Sequence, residues 1–103
     1  MERMLLDEQH FPPDMIRDLQ KVSTILMQRG AQKIIVYGSL ARGDYRPDSD
    51  IDLCVEGLPD QVYFRALAEC MMAIDRPLSL VALKDTHGYF RTRILTEGKI
   101  IYA

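Results

Sequence analysis

Asp50 and Asp52 stand one residue apart at the head of an apolar run, Asp50-Ile51-Asp52-Leu53, and ten residues separate Asp50 from the pair Gly38-Ser39. Strand side chains alternate faces, so Asp50 and Asp52 point the same way while Ile51 and Leu53 point the other. Two residues of strand rise put their Cα atoms ~6.5–7 Å apart. Carboxylates that close repel unless positive charge sits between them. A magnesium ion does this well, because it takes a few carboxylates and fills its other positions with water or substrate phosphate. Gly38 has no Cβ, so a phosphate can approach its backbone. Ser39 offers a hydroxyl and an N–H at the start of a short helical turn, where anions bind. Arg42 and Arg46 add positive charge. These residue types suit a nucleoside triphosphate bridged to the protein by metal.

Taken singly, each feature is ordinary: a Gly-Ser is usually a turn, an Asp-x-Asp a solvated strand end, and Arg46-Pro47-Asp48-Ser49 loop chemistry. Their order and spacing make them specific. The run Gly38-Ser39-Leu40-Ala41-Arg42-Gly43, followed by Arg46-Pro47-Asp48-Ser49-Asp50-Ile51-Asp52-Leu53, resembles the minimal nucleotidyltransferases (MNT) of the DNA polymerase β-like superfamily. Many of these are antitoxins paired with HEPN-domain toxins. The ending, Arg93-Ile94-Leu95-Thr96-Glu97-Gly98-Lys99-Ile100-Ile101-Tyr102, is similar to the family's as well.

The resemblance implies an α/β (α+β) nucleotidyltransferase fold and transfer of AMP from ATP to a hydroxyl, with release of pyrophosphate. Two metal ions would clamp the attacking and leaving oxygens. Asp50 and Asp52 would be catalytic and hold magnesium, while Gly38, Ser39, Arg42 and Ser49 would bind the nucleotide. The family pattern also has a third carboxylate on the next strand. Here the matching segment is Leu78-Ser79-Leu80-Val81, and Ser79 stands in its place. Serine supplies no negative charge and no base at neutral pH. Two functions follow. One is a protein adenylyltransferase, the antitoxin of a HEPN/MNT pair; the other is a catalytically degenerate module that neutralises its toxin by binding.

The elements that must position these groups are legible from periodicity. Met15, Leu19, Val22 and Leu26 form one stripe of a helix over about Pro13 to Arg29, begun by Pro12-Pro13 and capped by Gly30. Lys33 to Tyr37 reads as a strand, and Asp50 to Val55 as the next. A second helix spans about Pro59 to Ile74, with Phe64, Leu67, Met71 and Ile74 as its expected core stripe and the Met71-Met72 pair as gap-filling core. Leu78 to Leu83 is almost wholly apolar and reads as a central strand. Asp85 or Thr86 would cap a third helix that ends at Gly98. Lys99 to Tyr102 closes the chain as a strand. Arg91 and Arg93 read as a solvated helix face, with a contact to nucleotide or partner as the lesser reading, and Leu5, Leu6 and Phe11 either pack on the body or belong to a mobile lead-in. Three helices on a small mixed sheet are thus expected.

Composition narrows the classes. The 103 residues make a single domain, residues 1–103, with 48% hydrophobic and 27% charged residues. A net charge of −2 argues against unaided binding of long nucleic acid, which needs a basic face. Cys54 and Cys70 lack CxxC-type partners, which speaks against zinc and for reduced, buried thiols. The first residues are too charged for a signal peptide, and no apolar run has membrane-spanning length, so a soluble cytoplasmic protein is expected. His10 and His87 are isolated, no serine has a matched base, and there is no P-loop. The acceptor is expected on a partner protein, and a homo-oligomer is left open.

Overall fold

A computed structural model describes residues 11–46 and 48–103. The elements run in the order α1 (Pro13–Gln28), β1 (Lys33–Tyr37), α2 (Gly38–Arg42), β2 (Ile51–Glu56), α3 (Asp60–Ala73), β3 (Leu78–Ala82), a single 3-10 turn (Leu83–Asp85), α4 (Gly88–Glu97) and β4 (Lys99–Tyr102). The strands form one mixed sheet in the order β3-β2-β1-β4. β1 is antiparallel to β2 and β4, whereas β2 and β3 are parallel, joined across α3. The α/β class and mixed sheet are as the sequence implies. The additional helix, α2, is five residues long and occupies the stretch after Gly38 that reads as a polar turn.

Strand alternation sends β1 and β2 side chains to two different cores. Ile34, Val36, Leu53 and Val55 join α1 and α3 in the main core, together with Met15, Leu19, Val22 and Leu26 of α1. The opposite face carries Ile35 and Cys54, which pack with Leu83 and with Ile94 of α4, and with Tyr37 and Val81 at the margin. The α1 stripe is therefore core, as its spacing predicts. Phe11 is buried against it, while Leu5, Leu6 and His10 lie outside the described residues. Both cysteines are free and buried. Among the described residues, no helix is long and apolar enough to cross a membrane.

Three sequence expectations are corrected. On α3 the inward residues are Ala66 and Cys70, with Ile74 just beyond, while Phe64, Met71 and Met72 are 77%, 54% and 87% exposed. Small side chains bring α3 close to α1, close enough for the Cys70 thiol to meet the Val22 carbonyl at 3.8 Å. A helix apolar nearly all round does not disclose which face turns inward. β3 is an edge strand, not a central one. Its apolar run reports that both faces are partly covered, at Leu80 and Val81, which is a different matter from having two neighbours. Finally, neither Asp85 nor Thr86 caps α4. The helix starts after His87 without a side-chain cap, and the Thr86 hydroxyl donates to the Leu83 carbonyl at 2.7 Å.

Gly98 ends α4 as predicted, but for a different physical reason. Its φ of −67° lies outside the left-handed region. What excludes a side chain is space: a Cβ there would lie 2.3 Å from the Ile94 carbonyl oxygen and 2.5 Å from Ile35 Cγ2. The tight α4–β4 junction thus seats α4 against the second core. Gly98→Ala should destabilise the domain by about 1–3 kcal/mol, the usual cost of overpacking, as read from urea denaturation.

Candidate functional site

Cross-strand register places the site. Tyr37 of β1 pairs with Asp52 of β2, and Asp52 pairs with Ser79 of β3. Paired residues share a face, so Tyr37, Asp52 and Ser79 form a row on the side of the sheet that carries α4. Asp50 precedes β2 by one residue and is exposed. Its charge acts on Asp52.

Asp52 is half-buried, and its carboxyl is raised above the ordinary aspartate value. Burial is the main cause and the charge of Asp50 the second, with Arg42 opposing them. The two carboxylates therefore share one field, with Arg42 in reach of it. Opposite them, Gly38 has φ +73°, and a Cβ built on it would lie 2.5 Å from Asp52 Oδ2. The carboxylate occupies the space that any other residue's side chain would need. Both backbone conformation and close approach thus demand glycine at this bend.

The remaining predicted residues fall around this contact in different ways. Ser39 is half-buried in α2, and its carbonyl accepts the N–H groups of Gly43 and Asp44 at 3.0 and 3.2 Å, closing the helix. Arg42 faces Asp44 at 3.5 Å and Glu97 of α4 at 3.8 Å. Ser49 is engaged within its own loop: its hydroxyl accepts the Arg46 N–H at 2.5 Å, and its N–H donates to the Arg46 carbonyl at 2.9 Å. Arg46 itself is exposed.

Sequence reasoning missed two contributors. Arg76, in a stretch that reads only as a connection, donates to Asp18 at 3.0 Å, to Asp14 at 3.3 Å and to the Ser49 carbonyl at 3.2 Å. Beside it, the Ile51 N–H donates to the Pro77 carbonyl at 3.0 Å. Arg76 therefore ties the loop that delivers Asp50 to α1. No local pattern signals this, because its partners are 27 to 62 positions away in the chain. The second group is on α4, where Phe90 meets Tyr37 edge-on at 5.6 Å and Arg93 pairs with Glu97 at 3.3 Å. Their i,i+4 spacing is visible in the sequence but reads as a surface pair.

Among the described residues, no group of three or more His, Cys, Asp or Glu side chains could hold a metal. In the magnesium expectation Asp50 and Asp52 would be two ligands, with water and phosphate oxygen filling the other positions. Burial and the charge of Asp50 push the Asp52 carboxyl up and Arg42 only partly offsets them, an electrostatic setting that a cation would relieve. Ser79 is exposed at the far side of the row and engages the Tyr37 hydroxyl. The Tyr37 phenol is raised, chiefly by burial.

The family model described as polymerase beta, nucleotidyltransferase, matches residues 20–103. The chain belongs to this family. A Methanocaldococcus jannaschii protein named as a candidate protein adenylyltransferase is 33% identical over 78 residues, covering 69% of this chain and 78% of its own. A second protein of that organism with the same designation is 29% identical over 84 residues, covering 77% and 88%.

Solved structures share the nucleotidyltransferase fold. A minimal nucleotidyltransferase superposes with a TM-score of 0.70 at 24% identity, over 84% of this chain and 91% of that one. A toxin–antitoxin structure with AMP-PNP gives 0.67 at 24% identity, over 79% and 69%. A complex of tri-AMPylated Shewanella oneidensis HEPN toxin with MNT antitoxin gives 0.63 at 21% identity, over 82% and 69%.

The nucleotidyltransferase domain carries a pH signature. Because the folded state holds the Asp52 proton more tightly than the unfolded chain does, Asp52 favours folding at acid pH. It opposes folding as pH rises through its raised pKa. Asp52→Asn should therefore melt a few degrees higher at pH 7, where ~1 kcal/mol corresponds to about 4–8 °C in a domain of this size. The gain should vanish below the ordinary aspartate range, as read by thermal melts at both pH values.

Proposed function

We propose that this nucleotidyltransferase domain transfers AMP from ATP to a hydroxyl on a partner protein, and that the partner is a HEPN-domain toxin which it restrains as antitoxin. The observation that carries the reading is the Asp52 carboxylate lying against the Gly38 bend, with Asp50 beside it. The names of the relatives and the complexes among the structural neighbours support the choice of acceptor and partner.

In this reading the bend at Gly38 lets the phosphates approach the backbone, Ser39 donates to them, and Arg42 balances their charge. Asp50 and Asp52 would hold magnesium, which supplies charge neutralisation at the phosphates when bound. The acceptor oxygen bonds to the α-phosphorus, the bond to pyrophosphate breaks, and the acceptor's proton passes to Asp52 or to solvent. Ser79 has no basic form at neutral pH to receive it.

One observation favours a second reading, a module that acts by binding alone. Ser79 stands where the family pattern has an acid, so the row Tyr37-Asp52-Ser79 carries one carboxylate. Labelled ATP, magnesium and a HEPN-domain toxin separate the two. The transferase reading expects label on the HEPN protein, with a loss of at least ~10²-fold in Asp52→Asn, of the order that general base work supplies, and a comparable loss in Asp50→Asn. No transfer from the unaltered protein, together with full protection by the Asp50→Asn variant, establishes the binding module instead.

A further inference from the structure

Between α2 and α4 lies a cavity of about 150 Å³ whose walls include Gly38, Arg42, Phe90, Arg93 and Glu97. Gly38 forms part of its lining, so the cavity opens directly beside the bend that carries the proposed site. Two guanidinium groups converge there on a single carboxylate oxygen. Arg93 Nη2 is 3.3 Å from Glu97 Oε2, and Arg42 Nη1 is 3.8 Å from the same atom. Arg93 also lies over the Tyr89 ring, 5.9 Å from its centroid. Phe90, packed edge-on against Tyr37, supplies an apolar wall.

The side chains of Arg42, Arg93 and Glu97 are 38%, 44% and 38% exposed. Ion pairs this open to water hold weakly. A phosphate group brings more charge than a carboxylate and more oxygens, and it accepts parallel N–H bonds from a guanidinium fork. The Glu97 carboxylate therefore occupies a two-arginine anion site as an exchangeable occupant.

We propose that this cavity takes the terminal phosphates of the nucleoside triphosphate, with Arg93 joining Arg42 as a phosphate ligand and Glu97 as the internal competitor that phosphate displaces. Neither Arg93 nor Glu97 belongs to the Gly-Ser or Asp-x-Asp elements, and both come from α4. The assignment rests on the nucleotidyl-transfer reading and adds to it a determinant of triphosphate over monophosphate. Glu97 keeps the two arginines ordered in the absence of nucleotide and sets an electrostatic threshold that an anion must exceed.

Calorimetric titration of the full chain with magnesium–ATP, magnesium–tripolyphosphate and AMP tests it. Arg93→Gln should weaken ATP and tripolyphosphate about tenfold or more, as expected for loss of a hydrogen bond to a charged group, and leave AMP unchanged. Glu97→Gln should tighten both polyphosphates several-fold, with the gain shrinking as salt is raised. If the unaltered protein binds both polyphosphates but Arg93→Gln binds them equally well, or AMP weakens in parallel, or Glu97→Gln fails to tighten, this assignment alone is overturned. If the unaltered protein binds neither polyphosphate, the nucleotidyl-transfer reading falls and this one with it. Should Arg93→Gln lose its circular dichroism signature, the Glu97→Gln titration decides.

Discussion

The contact between the Asp52 carboxylate and the backbone of Gly38 is the constraint on which the rest of the domain depends. Two strand ends approach closely enough that one carboxylate oxygen takes the place of the neighbouring residue's missing side chain. The antiparallel register of β1 and β2, with Tyr37 opposite Asp52, delivers the two groups to this meeting. The main core fixes that register, because a slip by one residue would turn Ile34, Val36, Leu53 and Val55 away from α1 and α3. A site of a few polar atoms is thus held by an apolar pattern on the opposite face of the same strands.

Much of this was readable in the chain, and what escaped did so for identifiable reasons. The α1 stripe and both central strands follow from local periodicities of 3.6 and 2. The orientation of α3 does not, because an apolar residue on nearly every face leaves direction to be decided by which side chains are small enough for close approach. Ala66 and Cys70 win that place over Phe64 and Met71. The edge position of β3 is likewise a property of connectivity and not of its own residues. The five-residue α2 is legible only as a short helical turn at Ser39, because five residues carry too little periodicity to mark a helix. Around the Gly38 bend, the motif makes Gly38, Ser39, Arg42, Ser49, Asp50 and Asp52 the expected site residues, but α4's nearness to them depends on a packing that brings position 97 to position 42.

The row Tyr37-Asp52-Ser79 explains how the sheet tolerates an acid in a half-buried place. Only one member carries charge at neutral pH, the phenol being raised by its own burial and the serine being neutral. A second carboxylate at position 79 would add like charge beside a group already disfavoured by Asp50. The serine relieves that repulsion and leaves the row with less negative field to offer a cation.

The clasp made by Arg76 bears on where this domain begins as a working unit. The stretch matched by the family model opens at residue 20, yet Asp14 and Asp18, the two acids that anchor Arg76, lie upstream of it. Through Arg76 they reach the Ser49 carbonyl, one residue before the first acid of the site. A boundary drawn by sequence similarity would cut the tether while sparing every motif residue. The smallest fragment that keeps its chemistry in place must therefore retain the opening turns of α1.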